Sequence, residues 1–227
     1  MLKAVIFDMD GVIIDSHPAH REAWRAFFQT VGRSVSEAEL DFVLDGRKRS
    51  EVLNHFLGEL SEQELQQYGD RKDAFFMQRS RQVKLIPGVV ELLDRLRSAT
   101  IATAVATSAS KNRARDMLNQ WQLTEKFDVV VTGNDVARGK PDPSIYRLAC
   151  QLLNTAPANT LAIEDAVSGI HAARAAGLVC VGVAGHESPH KLRAAGAAHV
   201  VEDFVDLSRS QLEGLLSSHR ASLAAPG

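Results

Sequence analysis

Short apolar runs rich in β-branched residues recur through this chain, at Ala4 to Phe7, Ile101 to Ala106, Val129 to Val131, Leu161 to Ile163, Val179 to Val183 and, more weakly, His199 to Val201. Each has the length of a strand, and continuous apolar runs of this kind suit strands buried on both faces. Between them lie segments with helical spacing: Val89 to Leu96, Arg113 to Trp121, Ile145 to Leu153, Gly169 to Ala176 and Leu192 to Ala195. Strand alternating with helix predicts a parallel sheet covered by helices on both faces, its strands arranged around the first.

The alternation breaks once. Between the first strand and Pro87, about 70 residues offer helices and no strand. Pro18 near a helix start and the capping-box patterns Ser36-x-x-Glu39 and Ser61-x-x-Glu64 mark helix beginnings there. Helices are expected near 18–31, 36–44, 50–58 and 61–80, joined to the rest through Gly11 to Ser16 and Val83 to Gly88. The expected fold is therefore α/β, a doubly wound Rossmann-like parallel sheet core (1–15 and 84–227) with an inserted α-helical cap domain (16–83). The tail from Ser217 to Gly227 is small and polar and is expected to fray.

A formal net charge of -2 gives no global positive field to draw in nucleic acid or an anionic membrane. No run reaches the length of a membrane span, and the N-terminus enters the first strand with no signal-like segment. Cys150 and Cys180 each sit in an apolar run and cannot make a disulfide framework. The expectations are a cytoplasmic protein, a monomer, with neither nucleic acid nor membrane as partner but a small molecule.

Ligands of open parallel sheets bind beyond the carboxyl ends of the strands. There the first run leads into Asp8-Met9-Asp10-Gly11-Val12, the second into Thr107-Ser108-Ala109-Ser110-Lys111-Asn112, and the fourth into Glu164-Asp165, while Gly139-Lys140-Pro141 follows the third. Two aspartates two residues apart can divide labour. One carboxylate attacks phosphorus, and the other, set outward by the turn at Gly11, acts as general acid and base. A carboxylate approaching a phosphate dianion needs a hard cation and positioned donors to offset the repulsion. Asp8, Glu164 and Asp165 are oxygen ligands suited to Mg²⁺. Ser108 opens a predicted helix, where a hydroxyl and free backbone N–H groups make an anion site, and Lys140 adds a point charge. Taken singly, each of these also fits a turn, a cap or a solvated loop; four of them at successive strand ends do not.

With these residues in view, the chain resembles the haloacid dehalogenase superfamily, in its subgroup with a small helical cap. The four motifs read Asp8-Met9-Asp10-Gly11-Val12, Ala106-Thr107-Ser108, Gly139-Lys140-Pro141-Asp142-Pro143 and Ile163-Glu164-Asp165, and the likeness extends to about Ala184. The resemblance implies Asp8 as nucleophile, Asp10 as acid and base, and Ser108 and Lys140 on the phosphate. It also implies Mg²⁺ held by Asp8, the Asp10 backbone carbonyl and Asp165, with Glu164 in support. Within the superfamily the sequence is similar to the β-phosphoglucomutases and related sugar-phosphate phosphatases, through Val12, His20-x-x-Ala23-Trp24, Gly46-Arg47-Lys48-Arg49, Arg71-Lys72 and Ser108 to Asn112. That similarity implies a substrate pocket of His20, Trp24, Gly46, Arg49, Lys72, Thr107, Ala109 and Asn112. In it His20 gates Asp10, Arg49 holds a distal phosphate, Lys72 lines the cap and Asn112 touches the bound phosphate. Residue pattern alone leaves His20 equally readable as a core histidine, since it shares a helical face with Trp24, Phe27, Phe28 and Val31. Lys72 is equally readable as a solvated residue.

The expected activity is Mg²⁺-dependent phosphoryl transfer through an aspartyl-phosphate, with hydrolysis of a small sugar phosphate or similar metabolite leading. Its near alternative is β-phosphoglucomutase activity, interconverting β-glucose 1-phosphate and glucose 6-phosphate. A non-catalytic phospho-metabolite sensor is the alternative from another class. A receiver-type module is disfavoured by the helical insertion, and a dehalogenase by Asp10.

Overall fold

The computed structural model describes residues 1–224. The six apolar runs form one parallel sheet: β1 (Ala4–Phe7), with β4 (Ala102–Ala106) and then β5 (Val129–Val131) on one side, and β6 (Thr160–Glu164), β7 (Val179–Val183) and β8 (His199–Val201) on the other. The fold is α/β and doubly wound. The chain builds outward from β1 through β4 to β5, then crosses back to β6, so strand order reverses beside β1.

Period-two alternation divides β1 between two cores. Val5 and Phe7 join Val105, Leu161, Ile163 and Val181 on one face, under α5 (Val89–Ser98) and α6 (Lys111–Gln120). Ile6 joins Ala104, Ala162 and Cys180 on the other, under α7 (Ser144–Leu152), α8 (Val167–Ala175) and α9 (Pro189–Ala195). Both cysteines are buried and free, packing as small hydrophobes.

Register brings the polar residues level. Phe7 pairs with Val105 on one side and Ile163 on the other, so the residues one step further, Asp8, Ala106 and Glu164, lie side by side at the carboxyl edge.

Between β1 and α5 stand the helices α1 (His17–Thr30), α2 (Glu37–Leu44), α3 (Arg49–Leu57) and α4 (Glu62–Met77). Both capping boxes form, Ser36 with Glu39 and Ser61 with Glu64, each satisfying two otherwise orphaned backbone groups. These helices carry a core of their own, in which Trp24, Phe27, Phe28, Leu40, Val52, Leu53 and Phe56 pack together. A short antiparallel ribbon, β2 (Ile14–Asp15) with β3 (Lys84–Leu85), joins the two chain crossings. The sequence reading had them as two plain linkers, because a two-residue strand leaves no periodicity to detect.

The C-terminus differs from expectation. Residues 217–224 do not fray: they continue α10 (Arg209–Ala224), while the last three residues of the expected tail lie outside the described residues. Leu212 and Leu216, four apart on one face, are buried beside Phe204 and Leu207 in the core that holds Phe7. Serines and Gly214 mask this two-leucine stripe in the sequence. Among the described residues no helix is long and apolar enough to cross a membrane.

If α10 is part of the core, Leu212→Ala should lower the unfolding free energy by about 2–5 kcal/mol, the usual range for a buried leucine. Urea titration would measure it, and a change below about 0.5 kcal/mol, typical of surface sites, would contradict the packing.

Candidate active site

At the carboxyl edge, the Lys140 ammonium is 1% exposed and sits between three strand ends. Its Nζ donates to Asp8 Oδ1 at 2.6 Å, to Glu164 Oε1 at 2.5 Å and to the Ala106 carbonyl at 3.1 Å. Burial pulls its pKa down, but Asp8 and Glu164 outweigh burial and raise it. Glu164 is further held by the Tyr146 hydroxyl at 2.7 Å and by the backbone N–H groups of Asp165 and Ala166.

One lysine does not balance the acids around it. Burial drives the Asp8 carboxyl well above its usual range, with the charges of Glu164, Asp165 and Asp10 adding to the effect and Lys140 opposing it. Burial also raises Asp165, against the pull of His17. Ligand oxygens of Asp8, Glu164 and Asp165 lie within 4.8 Å of one another. Three buried carboxylates with hard oxygen donors and an uncompensated negative charge fit a divalent cation such as Mg²⁺. Asp8 and Asp165 line the cavity, whereas Glu164 lies behind them.

His17, which the sequence reading did not single out, closes this corner. Its Nε2 lies 2.5 Å from Asp165 Oδ2, and its ring stacks on His186 at 4.8 Å. Gly11 makes the approach possible. Its φ is +78°, and a Cβ there would fall 2.0 Å from Asp165 Oδ2 and 2.5 Å from His17 Nε2, so any side chain would collide with both.

Asp10 faces a different set of partners. Arg113 grips it bidentately, Nη1 to Oδ1 at 2.9 Å and Nη2 to Oδ2 at 2.6 Å. Ser16 donates to Oδ1 at 2.6 Å, and His20 Nε2 is 3.2 Å from the same oxygen. Burial would raise this carboxyl, but Arg113 and His20 outweigh it and hold it well below the usual range. His20 Nδ1 lies 2.9 Å from Lys72 Nζ. Burial, and then Lys72, lower His20 to about 3, so the ring is neutral: Nε2–H donates to Asp10, and Nδ1 accepts from Lys72. Burial likewise lowers Lys72 to about 7, its ammonium lying 5.2 Å from the ring centres of Trp24 and Phe76.

The cavity between sheet edge and helices is lined by Asp8, Asp10, His20, Trp24, Gly46, Arg49, Lys72, Thr107, Ser108, Ala109 and Asp165, all named from sequence, and by His17, Arg47, Asp73, Ser110 and Arg113, which were not assigned roles. Asn112 does not belong to it. It is exposed on α6 and absent from the lining. The cause is helix geometry: Ser110 caps α6, and it is Arg113, three residues on, that turns back over the cavity, while Asn112 lies about 100° away.

The helical unit is docked onto the sheet edge. Ser108 Oγ donates to the Gly46 carbonyl at 2.5 Å, Lys48 Nζ to the Val136 carbonyl at 2.7 Å, and the Gly139 N–H to Glu51 Oε1 at 2.8 Å. Ser168 hydrogen-bonds Asp45 through both its N–H and its hydroxyl. The cavity is about 70 Å³ and partly open to solvent.

With this geometry in view, comparison with known proteins is specific. Residues 5–183 match the family model for the haloacid dehalogenase-like hydrolases. The chain is 34% identical to the phosphorylated carbohydrates phosphatase of Thermotoga maritima over 78% of its own length and 82% of that protein. It is 32% identical to the β-phosphoglucomutase of Bacillus subtilis over 99% of its length and 100% of that enzyme. In structure it is similar to a mutant of CbbY from Rhodobacter sphaeroides in complex with xylulose-(1,5)bisphosphate, with a TM-score of 0.80 at 28% identity, covering 92% of this chain and 97% of that one.

Lys72 gives a pH test of the site. Its value of about 7 lies below the 10.5 of a free lysine. Between those limits the unfolded chain binds the extra proton, so this group's contribution to stability improves as pH rises through that window. Lys72→Met should therefore favour folding more at pH 7 than at pH 10 in urea titrations; equal effects at both would show an unstrained ammonium.

Proposed function

The chain belongs to the haloacid dehalogenase-like hydrolases and is a phosphatase or phosphomutase of that family; on that premise we propose that it hydrolyses a small sugar phosphate through an aspartyl-phosphate on Asp8. The observation that supports this most is the gathering of Asp8, Glu164 and Asp165 around Lys140, with Asp10 at the same strand end. We take residues 16–83 as a cap domain and 1–15 with 84–227 as the core. The sensor reading is set aside, because the relatives named above are enzymes.

Asp8 attacks phosphorus, the ester P–O bond breaks, and the departing oxygen takes a proton from Asp10. Water then attacks the phosphorus of the aspartyl-phosphate and gives a proton back to Asp10, releasing phosphate and restoring the Asp8 carboxylate. Asp8 and Asp165, with Glu164 behind them, would hold Mg²⁺, which when bound neutralises charge on the phosphoryl oxygens. Lys140 keeps Asp8 oriented and offsets charge as the phosphate arrives. Ser108 gives its hydroxyl to Gly46 in the docked state, and movement of the cap frees it for a phosphoryl oxygen. Arg113 keeps Asp10 ionised, the form that takes a proton from water. To protonate a leaving oxygen, Asp10 has to loosen that grip.

The end-to-end match to a β-phosphoglucomutase favours one second reading, in which the phosphoryl group passes to a second sugar hydroxyl. A Mg²⁺-dependent phosphate-release screen over sugar phosphates, beside a coupled assay with β-glucose 1-phosphate and its bisphosphate, separates the two. Phosphate release without isomer gives the phosphatase; glucose 6-phosphate with little free phosphate gives the mutase. Asp8→Asn should lower kcat by roughly 10³-fold or more, and substantial residual turnover would sink the nucleophile assignment. Asp10→Asn should lower it by roughly 10²–10⁴-fold while ligand binding, measured by calorimetry, persists. Chelation of divalent cations should abolish turnover and re-addition of Mg²⁺ restore it; activity unchanged by chelation would overturn the metal assignment.

A further inference from the structure

At the cap end of the cavity, Arg49 lines the ligand space but its guanidinium is already engaged. Its guanidinium lies against α4 at Gly69, where a Cβ would fall 2.2 Å from Nε, 2.3 Å from Cζ and 2.5 Å from Nη2. One turn further along α4, Asp73 Oδ2 accepts from Arg49 Nη1 at 2.6 Å, and Asp70 Oδ1 lies 3.7 Å from Nη2. A glycine within a helix is destabilising relative to alanine, and here its bare backbone provides the seat for this side chain. Gly69, Asp70 and Asp73 together hold Arg49 on the helix.

Asp73 also faces the cavity and the core. It accepts from Ser110 Oγ at 2.7 Å, across the boundary between helical unit and sheet, and its other oxygen is 3.6 Å from Lys72 Nζ. The other cations at this end also have neighbours, although among the described residues the buried Nε of Arg47 has no hydrogen-bond partner. Arg47 lies 3.5 Å from Asp45 and over the Phe42 ring, and Lys72 contacts His20. Among the described residues, each guanidinium lining this end therefore has a carboxylate partner. An arriving second phosphate would meet the Asp73 carboxylate at close range, and would have to break a half-buried ion pair whose abandoned partner is costly to leave alone. Sugar hydroxyls meet the opposite situation, because an ionised carboxylate accepts several hydrogen bonds from them.

We propose that Asp73 is a specificity-determining residue: by occupying Arg49 on the Gly69 seat, it fits the cap end of the site to the hydroxyls of a sugar or polyol monophosphate and against a sugar bisphosphate. The inference rests on the preceding reading only in placing the first phosphate at Asp8. It runs against simple transfer from CbbY, whose structure holds a bisphosphate, and it removes from Arg49 the distal-phosphate role that sequence similarity implied.

The test is equilibrium binding by calorimetry on the full chain carrying Asp8→Asn, with Mg²⁺. The ligands are three pairs differing by one phosphate: glucose 6-phosphate and glucose 1,6-bisphosphate, fructose 1-phosphate and fructose 1,6-bisphosphate, xylulose 5-phosphate and xylulose 1,5-bisphosphate. For the tightest pair, the monophosphate should bind at least as well as the bisphosphate. Adding Asp73→Asn, which keeps the side-chain shape, should shift the ratio of Kd values toward the bisphosphate tenfold or more. Adding Gly69→Ala instead, which favours the helix and pushes the guanidinium off its seat, should move the ratio in the same direction. The proposal is overturned by a tenfold preference for bisphosphate before either change, by a ratio that Asp73→Asn leaves unmoved, or by no binding of any pair at millimolar concentration. Because the readout is binding, a protein that prefers monophosphates yet releases no phosphate would count against the hydrolase reading alone.

Discussion

A single buried ammonium ties the sheet edge together. Lys140 reaches the carboxylates at the ends of β1 and β6 and the last carbonyl of β4, three neighbouring strands that the chain visits far apart in sequence. Removing a lysine and two carboxylates from water is costly, and such a cluster persists only where geometry and further hydrogen bonds compensate each charge. Here Tyr146 and two backbone N–H groups complete the shell of Glu164, so Glu164 is fixed from behind while Asp8 and Asp165 face the cavity. The strain that remains is an excess of negative charge on that face, and a divalent cation is the partner that relieves it.

The helical unit uses weaker and more local contacts. Its own aromatic core holds the helices together, while Ala19, Ala23 and Phe76 pack into the core that holds Phe7 and polar contacts reach the sheet edge, among them Ser108 to Gly46, Lys48 to Val136, Gly139 to Glu51 and Ser168 to Asp45. The polar contacts exchange readily with water, whereas the apolar packing through Ala19, Ala23 and Phe76 resists deformation. Several of these polar contacts rest on the loops that carry Ser108 and Lys140.

The electrostatics of the cavity run in two chains that meet near Asp10. One runs from Lys72 through neutral His20 to Asp10, and the other from Arg113 directly to Asp10. Phe76 of α4 lies beneath both, stacking on His20 and lying under the Arg113 guanidinium. Phe76 thus ties the position of α4 to the setting of Asp10 through packing. Asp73, on the same helix face, extends that dependence to the far end of the ligand space.

The sequence by itself determined the strands, the helical insertion and the order Asp8, Ser108, Lys140, Glu164 and Asp165 along the sheet edge. Apolar periodicity is a local signal, and a residue one step past a buried strand in a parallel sheet has one place to go. The ribbon of β2 with β3 and the burial of α10 were not legible, because two-residue pairing and a two-leucine stripe become visible only against the surface they pack on. Tertiary structure alone decided that Arg113 and not Asn112 turns over the cavity, that His17 reaches Asp165, and that Arg49 lies on Gly69 beside Asp73. Each of these depends on how a helix is rotated and docked. A turn of about 100° per residue exchanges one neighbour for another, and that rotation is set by contacts with residues tens to more than a hundred positions away.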